Sequence, residues 1–191
     1  MAAAFEVFVE KGFDAATTAE IVRRARTSKR TLYELFPSKQ DILTALIRSG
    51  SLKMQPSPDL PQPQNREQFV AVLGQFGRAF LTEFLHPDRM AMYRLAIAES
   101  RRGGGAVARE LDASGRLPVV QAVTRFFDQA AARGLLRRDD IAMLINVFFS
   151  VLIGISPLQA MLGTEPPITP VAIDAKVAMA TMVLQRMLEP A

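Results

Sequence analysis

Residues 17–39 read TTAEIVRRARTSKRTLYELFPSK, and this stretch decides the fold. Thr17 and Glu20 have capping-box spacing, in which the Thr hydroxyl takes an early backbone N–H and the carboxylate reaches back. A helix is therefore expected to start near Ala19. Ile21, Val22 and Ala25 give it one apolar face while Arg23, Arg24 and Arg26 point elsewhere, a helical rather than alternating period. Thr27 and Ser28 favour N-cap positions, so the chain turns and restarts. The second helix, about residues 29–35, buries Leu32 and presents Lys29, Arg30, Thr31, Tyr33 and Glu34. Pro37 ends it, because helical geometry just before a proline is sterically disfavoured. Two short helices joined by a tight turn, the second basic at its start, make a helix-turn-helix.

Such a unit suits duplex DNA. A helix fits the major groove, where Lys and Arg donate to guanine O6 and N7 and a Thr methyl meets a thymine methyl. Lys29, Arg30 and Thr31 occupy the first turn after the Ser28 cap. Thr18 offers a hydroxyl at a helix start, Tyr33 a phenol and Lys39 an ammonium, all suited to phosphate oxygens. Any one of them alone would read as part of a solvated basic face. The ordered set of caps, apolar anchors and donors favours DNA, with Thr18, Ser28, Lys29, Arg30, Thr31, Tyr33 and Lys39 as contacts.

Phe8, Gly12, Phe13, Thr17, Thr18, Ile21, Ala25, Ser28, Thr31, Leu32, Tyr33, Phe36, Ser38 and Lys39, in that order and spacing, resemble the DNA-binding domain of the tetracycline-repressor (TetR) family. TLYxxF followed by SK is the most specific part. The resemblance implies an all-α homodimer with a three-helix DNA-binding head and a helical ligand-sensing body. Several positions depart from the family pattern. Arg26 stands where a Gly usually follows the first motif helix, Thr27 replaces a small apolar residue, Arg30 replaces a Gly common before TLY, and Leu35 replaces a frequent His. A non-Gly residue in a left-handed conformation costs about 1 kcal/mol or more, so strain is expected in the turn.

Composition narrows the rest. A chain of 191 residues that is 49% hydrophobic has ample core for one or two domains. Zero Cys excludes a disulfide framework and a thiolate metal site, and fits a reducing cytoplasm. Net charge is only +4, but residues 1–54 hold nine Lys/Arg against six Asp/Glu, so +3 of it falls on the DNA head. No apolar run after a basic start marks a signal peptide.

Residues 2–11 form a helix with Phe5, Phe8 and Val9 on one side, closed by Gly12 as a C-terminal cap. It is shorter than is usual in the resembled family. Ser38 caps a helix with Asp41 near its positive end and Ile42, Leu43, Leu46 and Ile47 as its stripe. Residues 55–65, QPSPDLPQPQN, hold four prolines and read as a stiff connector, the Pro58 to Pro61 PxxP spacing having no basic flank. In residues 67–85, Phe69, Val72, Leu73, Phe76, Phe80 and Phe84 recur at threes and fours. His86, the single His, has no partner in the sequence to complete a metal or catalytic site. Residues 88–102 form another helix, and Gly103, Gly104 and Gly105 interrupt it as a hinge, since no strand precedes them and no GK[ST] follows. MYRLAIAES and ARGLLRRDD are similar to the body of one branch of TetR-type regulators.

Residues 118–133 are helical, with Val119, Val123, Phe126 and Phe127 apolar. Asp139 and Asp140 suit the positive end of the next helix better than acid–base chemistry. Residues 141–155 carry no charge. They fall short of the roughly 20 residues that span a bilayer, and read as a helix buried nearly all round. Asn146 and Ser150 share one of its faces, as a ligand contact, a register-setting contact across a dimer or a locally satisfied pair. The last helix, residues 169–188, is apolar on more than one side. Excess apolar surface on these two long helices predicts pairing with their copies, as the resembled family does through a four-helix interface.

The organisation expected is a DNA-binding domain at residues 1–38, a connecting helix at 39–53 and a ligand-binding and dimerisation domain at 66–191. The function expected is a ligand-responsive transcriptional regulator, a repressor that binds a palindromic operator in double-stranded DNA as a homodimer in the cytoplasm. A Phe stripe by itself is ordinary core. With the resemblance added, a small-molecule effector of partly apolar character is assigned to Phe76, Phe80, Phe84, Tyr93, Phe127 and Asn146. No cofactor, metal, membrane or enzymatic activity is expected. The rival reading is a helical carrier or enzyme that has lost DNA binding.

Overall fold

The computed structural model describes residues 1–57, 61–100, 105–164 and 167–188. Within them the protein is all-α, with no strand. In chain order the helices are α1 (Ala2–Lys11), α2 (Thr18–Ala25), α3 (Lys29–Leu35), α4 (Lys39–Lys53), α5 (Arg66–Phe84), α6 (Pro87–Ser100), α7 (Ala106–Glu110), α8 (Leu117–Ala132), α9 (Ile141–Ile153), α10 (Ser156–Leu162) and α11 (Pro170–Leu188). A π-helical turn, Leu111–Arg116, runs between α7 and α8, and a 3-10 turn, Arg138–Asp140, leads into α9. The PxxP spacing and Gly103 and Gly104 fall outside the described residues. Gly105 takes φ 62 at the start of α7.

The chain forms two compact units, Met1–Leu52 with Asp88–Leu117 and Lys53–Pro87 with Pro118–Ala191. In the first, Phe8, Ile21, Leu32, Ile42, Leu43 and Ile47 from α1 to α4 share one core with Met92, Leu95 and Ala96 of α6 and Val107 of α7. No helix as short as α2 or α3 is stable alone, so this shared core is what holds them. The π-helical turn has a role here. The Leu117 N–H closes it on Asp112 O, five positions back. Gly115 O accepts the buried Ser51 hydroxyl at 2.9 Å, while Ile47 lies so near that a Cβ on Gly115 would meet its Cγ2 at 3.3 Å.

In the second unit α11 packs on α5 and α9. Gly77 permits the α5–α9 approach, since a Cβ there would meet Phe148 Cζ at 3.2 Å. Arg66, next to the Asn65 cap of α5, donates to Leu135 O at 2.9 Å and to Leu188 O at 2.8 Å. It thereby satisfies a carbonyl at the end of α11 that has no helical partner.

Two expectations for the C-terminal half are corrected. The uncharged run does not continue to Ile155 as one helix, because Gly154 adopts φ 54 and divides it into α9 and α10. Nor is it buried nearly all round. Arg138–Leu162 is long enough for a membrane span and holds an 18-residue window of mean hydropathy 2.2, yet only 22% of that window is buried. α9 buries Ile141, Leu144, Phe148 and Leu152 and leaves Met143, Asn146 and Ser150 exposed. Composition counted the apolar residues correctly but could not divide them between two faces.

Candidate nucleic-acid interface

Local capping builds the head. Thr17 Oγ1 accepts the Glu20 N–H at 3.2 Å, and Ser28 Oγ accepts the Thr31 N–H at 3.0 Å. The reciprocal half of the first box is replaced. The Glu20 carboxylate instead takes Arg23 at 2.6 Å and Lys11 at 3.3 Å, and these partners hold it below its ordinary carboxyl pKa. Arg24 grips Glu10 of α1 with two N–H bonds of 2.8 Å, which likewise lowers the Glu10 pKa. These exposed pairs contribute little stability each, but they commit Arg23 and Arg24 to joining α2 to itself and to α1.

Between α2 and α3 the chain turns at Arg26 with φ 51 and ψ 44, among the described residues the one non-glycine at positive φ. The strain expected there is present. Its N–H and that of Thr27 still close on Arg23 O and Val22 O. Replacing Arg26 by Gly should relieve about 1 kcal/mol and raise the midpoint of thermal unfolding by roughly 2–4 °C, read by calorimetry. An unchanged or lower midpoint would mean that Arg26 makes up the cost elsewhere.

α3 seats on Leu32 and turns the rest of its short surface outward. Lys29, Arg30, Thr31, Tyr33 and Glu34 are all exposed. Arg30 is 89% exposed, with its Nε on Glu34 at 2.9 Å, a pair too open to constrain it. The Thr31 and Ser28 hydroxyls lie 2.9 Å apart. The Tyr33 phenol meets the Thr18 hydroxyl at 3.0 Å, which brings an expected contact on α2 beside one on α3. Six of the seven DNA-facing candidates thus share the outer side of α2 and α3. Lys39 stands apart. Its ammonium donates to Phe13 O at 2.7 Å and to Asp14 O and Ala16 O at 3.0 Å, and lies 4.6 Å from the Phe13 ring centroid. Three donors on three carbonyls make it a clasp on the α1–α2 corner.

Of the six residues assigned to a ligand, the three of α5 gather in one place. Phe76, Phe80 and Phe84 cluster with Phe149, with ring centroids 5.1–6.1 Å apart. Phe127 instead sits edge-on to Phe69 at 5.2 Å, beside Phe126. Tyr93 packs on the core of the first unit, where burial raises its pKa. Asn146 is exposed on α9, on the face turned away from the buried Phe148. Sequence reading also missed Phe149, whose neighbour Phe148 carries the same apolar signal, and the buried Glu99.

A capped helix pair with an outward, basic first turn on α3 is the architecture of a helix-turn-helix DNA-binding protein. Residues 1–46 match the family described as bacterial regulatory proteins, tetR family, and residues 71–187 match the AefR-like transcriptional repressor C-terminal domain. A TetR transcriptional regulator from Agrobacterium tumefaciens superposes with TM-score 0.77 over 97% of this chain and 90% of its own, at 22% identity. The flavonoid-responsive regulator FrrA is 31% identical, with TM-score 0.72, over 97% of this chain and 93% of its own. The uncharacterized HTH-type transcriptional regulator YdeS of Bacillus subtilis (strain 168) is 36% identical over 59 residues, 31% of this chain and 30% of its own length. The chain belongs to the TetR family and is a DNA-binding transcriptional regulator.

Proposed function

We propose that this regulator is a repressor that holds a palindromic operator as a homodimer and is released by a small molecule. Residues 1–38 form the DNA-binding domain, 39–53 the connecting helix and 66–191 the sensing and dimerisation body, and the protein works in the cytoplasm beside the DNA it controls. The observation that carries this reading is the outward first turn of α3, with Lys29 and Arg30 exposed above the buried anchor Leu32.

A second copy is supported by apolar surface that one chain leaves open. Val171 is 77% exposed and Met179 52% exposed on α11, opposite its buried Ile173, Val177, Ala180 and Leu184. A two-fold dimer that reads both half-sites needs its two α3 helices about 34 Å apart, one turn of DNA. Met143, Asn146 and Ser150 give α9 a matching outer face, with the amide fixing register. The effector is partly apolar. The Phe76, Phe80, Phe84 and Phe149 cluster suits a ring that stacks, in keeping with the flavonoid response of FrrA. Release requires the effector to favour one arrangement of the dimer over the other, since equal affinity for both shifts nothing.

Selection from random duplexes should enrich an inverted repeat with half-sites about 10 base pairs apart centre to centre. Enrichment of no repeat overturns the proposal. In the same selection, Arg30→Ala should relax preference at one base position in each half-site, a loss of about 1–3 kcal/mol there. A uniform loss over all sequences would place Arg30 on phosphate instead.

A further inference from the structure

α6 sends a carboxylate into the interior of the first unit. Glu99 is 4% exposed. Its Oε1 accepts the backbone N–H of Phe13, 86 positions earlier in the chain, while its Oε2 has no hydrogen-bond partner among the described residues. A buried carboxylate with an unsatisfied oxygen is costly, and an apolar side chain of similar volume would pack there without that penalty. Its presence calls for a task, and the bond to Phe13 identifies one.

The residue it holds is gripped from the other end as well. Lys39 of α4 takes the Phe13 carbonyl at 2.7 Å and those of Asp14 and Ala16 at 3.0 Å. The N–H and C=O of one residue are therefore held by opposite charges from two helices, and charge-assisted bonds of this kind are stronger than neutral ones. The Phe13 ring packs on Phe8 at 5.3 Å. Gly12, at φ 82, lets the corner come close enough that a Cβ would stand 3.4 Å from Glu99 Oε1. The corner then leads straight into Thr17, the cap of α2, and α2 packs on α3.

We propose that Glu99 is a positioning residue for DNA recognition. Acting through the Phe13 N–H, it fixes the corner from which α2 and α3 project, and with it the angle at which Lys29 and Arg30 meet the duplex. The proposal rests on the operator-binding reading above, and the test separates the two.

Three substitutions in the full chain divide the causes. Glu99→Gln keeps an acceptor oxygen in place, Glu99→Asp keeps the charge but withdraws it by one methylene, and Glu99→Ala removes both. Protection of the Phe13 amide against hydrogen exchange should persist in the Gln variant and fall at least tenfold in the other two, while amides within α2 and α3 stay protected. Operator affinity per folded molecule should follow the same order, within twofold for Gln and down about tenfold for Asp and Ala. The slope of affinity against salt should be unchanged in all three, because Glu99 touches no phosphate. A Phe13 amide that stays protected in the Asp variant overturns the proposal. So does an Asp variant that binds the operator within twofold of wild type, which is the outcome of a purely structural role that moves only thermal stability. Wild-type protein that selects no operator sinks the functional reading, and the positioning role with it, before any variant is compared.

Discussion

Leu32→Ala is expected to abolish operator binding while leaving most of the helix content in place. α3 has seven residues and buries one of them, Leu32. A helix of that length does not persist in water, so its stability is almost entirely the packing of that side chain. Truncating a buried Leu to Ala costs about 2–5 kcal/mol. In a larger element that loss would be spread over many contacts. Here it falls on one turn of structure whose other side chains face solvent, so the expected result is an undocked α3 and operator affinity reduced at least a hundredfold. Circular dichroism should change little, and a gel shift should show no specific complex. Retained affinity would mean that Phe36, partly buried behind the same helix, is enough to seat it.

Met179→Glu should split the proposed dimer. The side chain is 52% exposed in the single chain, so a carboxylate there remains hydrated in a monomer and the fold should tolerate it. In a two-fold seam the substitution places two like charges in apolar surroundings, each desolvated and unpaired, at a cost of several kcal/mol. Sedimentation at micromolar concentration should then report a monomer, and affinity for the full operator should fall about a hundredfold while affinity for a half-site stays unchanged. A dimer that survives moves the interface off α11. The next candidate is α10 with its cap Ile155, where Ile155, Leu158 and Leu162 are exposed and Leu162 is 66% accessible.

The two experiments probe parts of the chain that differ in how far sequence alone disclosed them. The head was legible because its determinants are local. Thr17 and Ser28 cap within three residues, Leu32 is the apolar position of a short helix, and Pro37 follows its end. Even the strain at Arg26 could be foreseen from a missing Gly. What sequence could not give was the far partner of each charge. Arg23 and Arg24 read as surface cations, yet Glu20 and Glu10 already engage them. Lys39 read as a phosphate donor, yet its ammonium closes on three carbonyls of the corner 23 to 26 residues before it.

The body was less legible for a different reason. An apolar stripe states that something will cover it, not what. α9 was expected to be buried nearly all round because every position in it is uncharged, and in the single chain its outer face with Met143 and Asn146 is open. The Phe residues of α5 gave a correct periodicity, but one period cannot tell that Phe69 turns to Phe126 and Phe127 while Phe80 turns to Phe149. Nothing local in AIAES sets Glu99 apart. Only a contact made 86 residues away gives it meaning.

The wide turn at Leu111–Arg116 bears on which changes of length this helix can take. A helix that gains one residue must either rotate everything downstream by about 100° or absorb the surplus locally. Here the surplus is absorbed, the Leu117 N–H closing on Asp112 O five positions back, and Gly115 O within the turn accepts the Ser51 hydroxyl. Trimming a residue from this turn would rewind the helix and move Gly115 O off the Ser51 hydroxyl, so loss of a residue here should be costly.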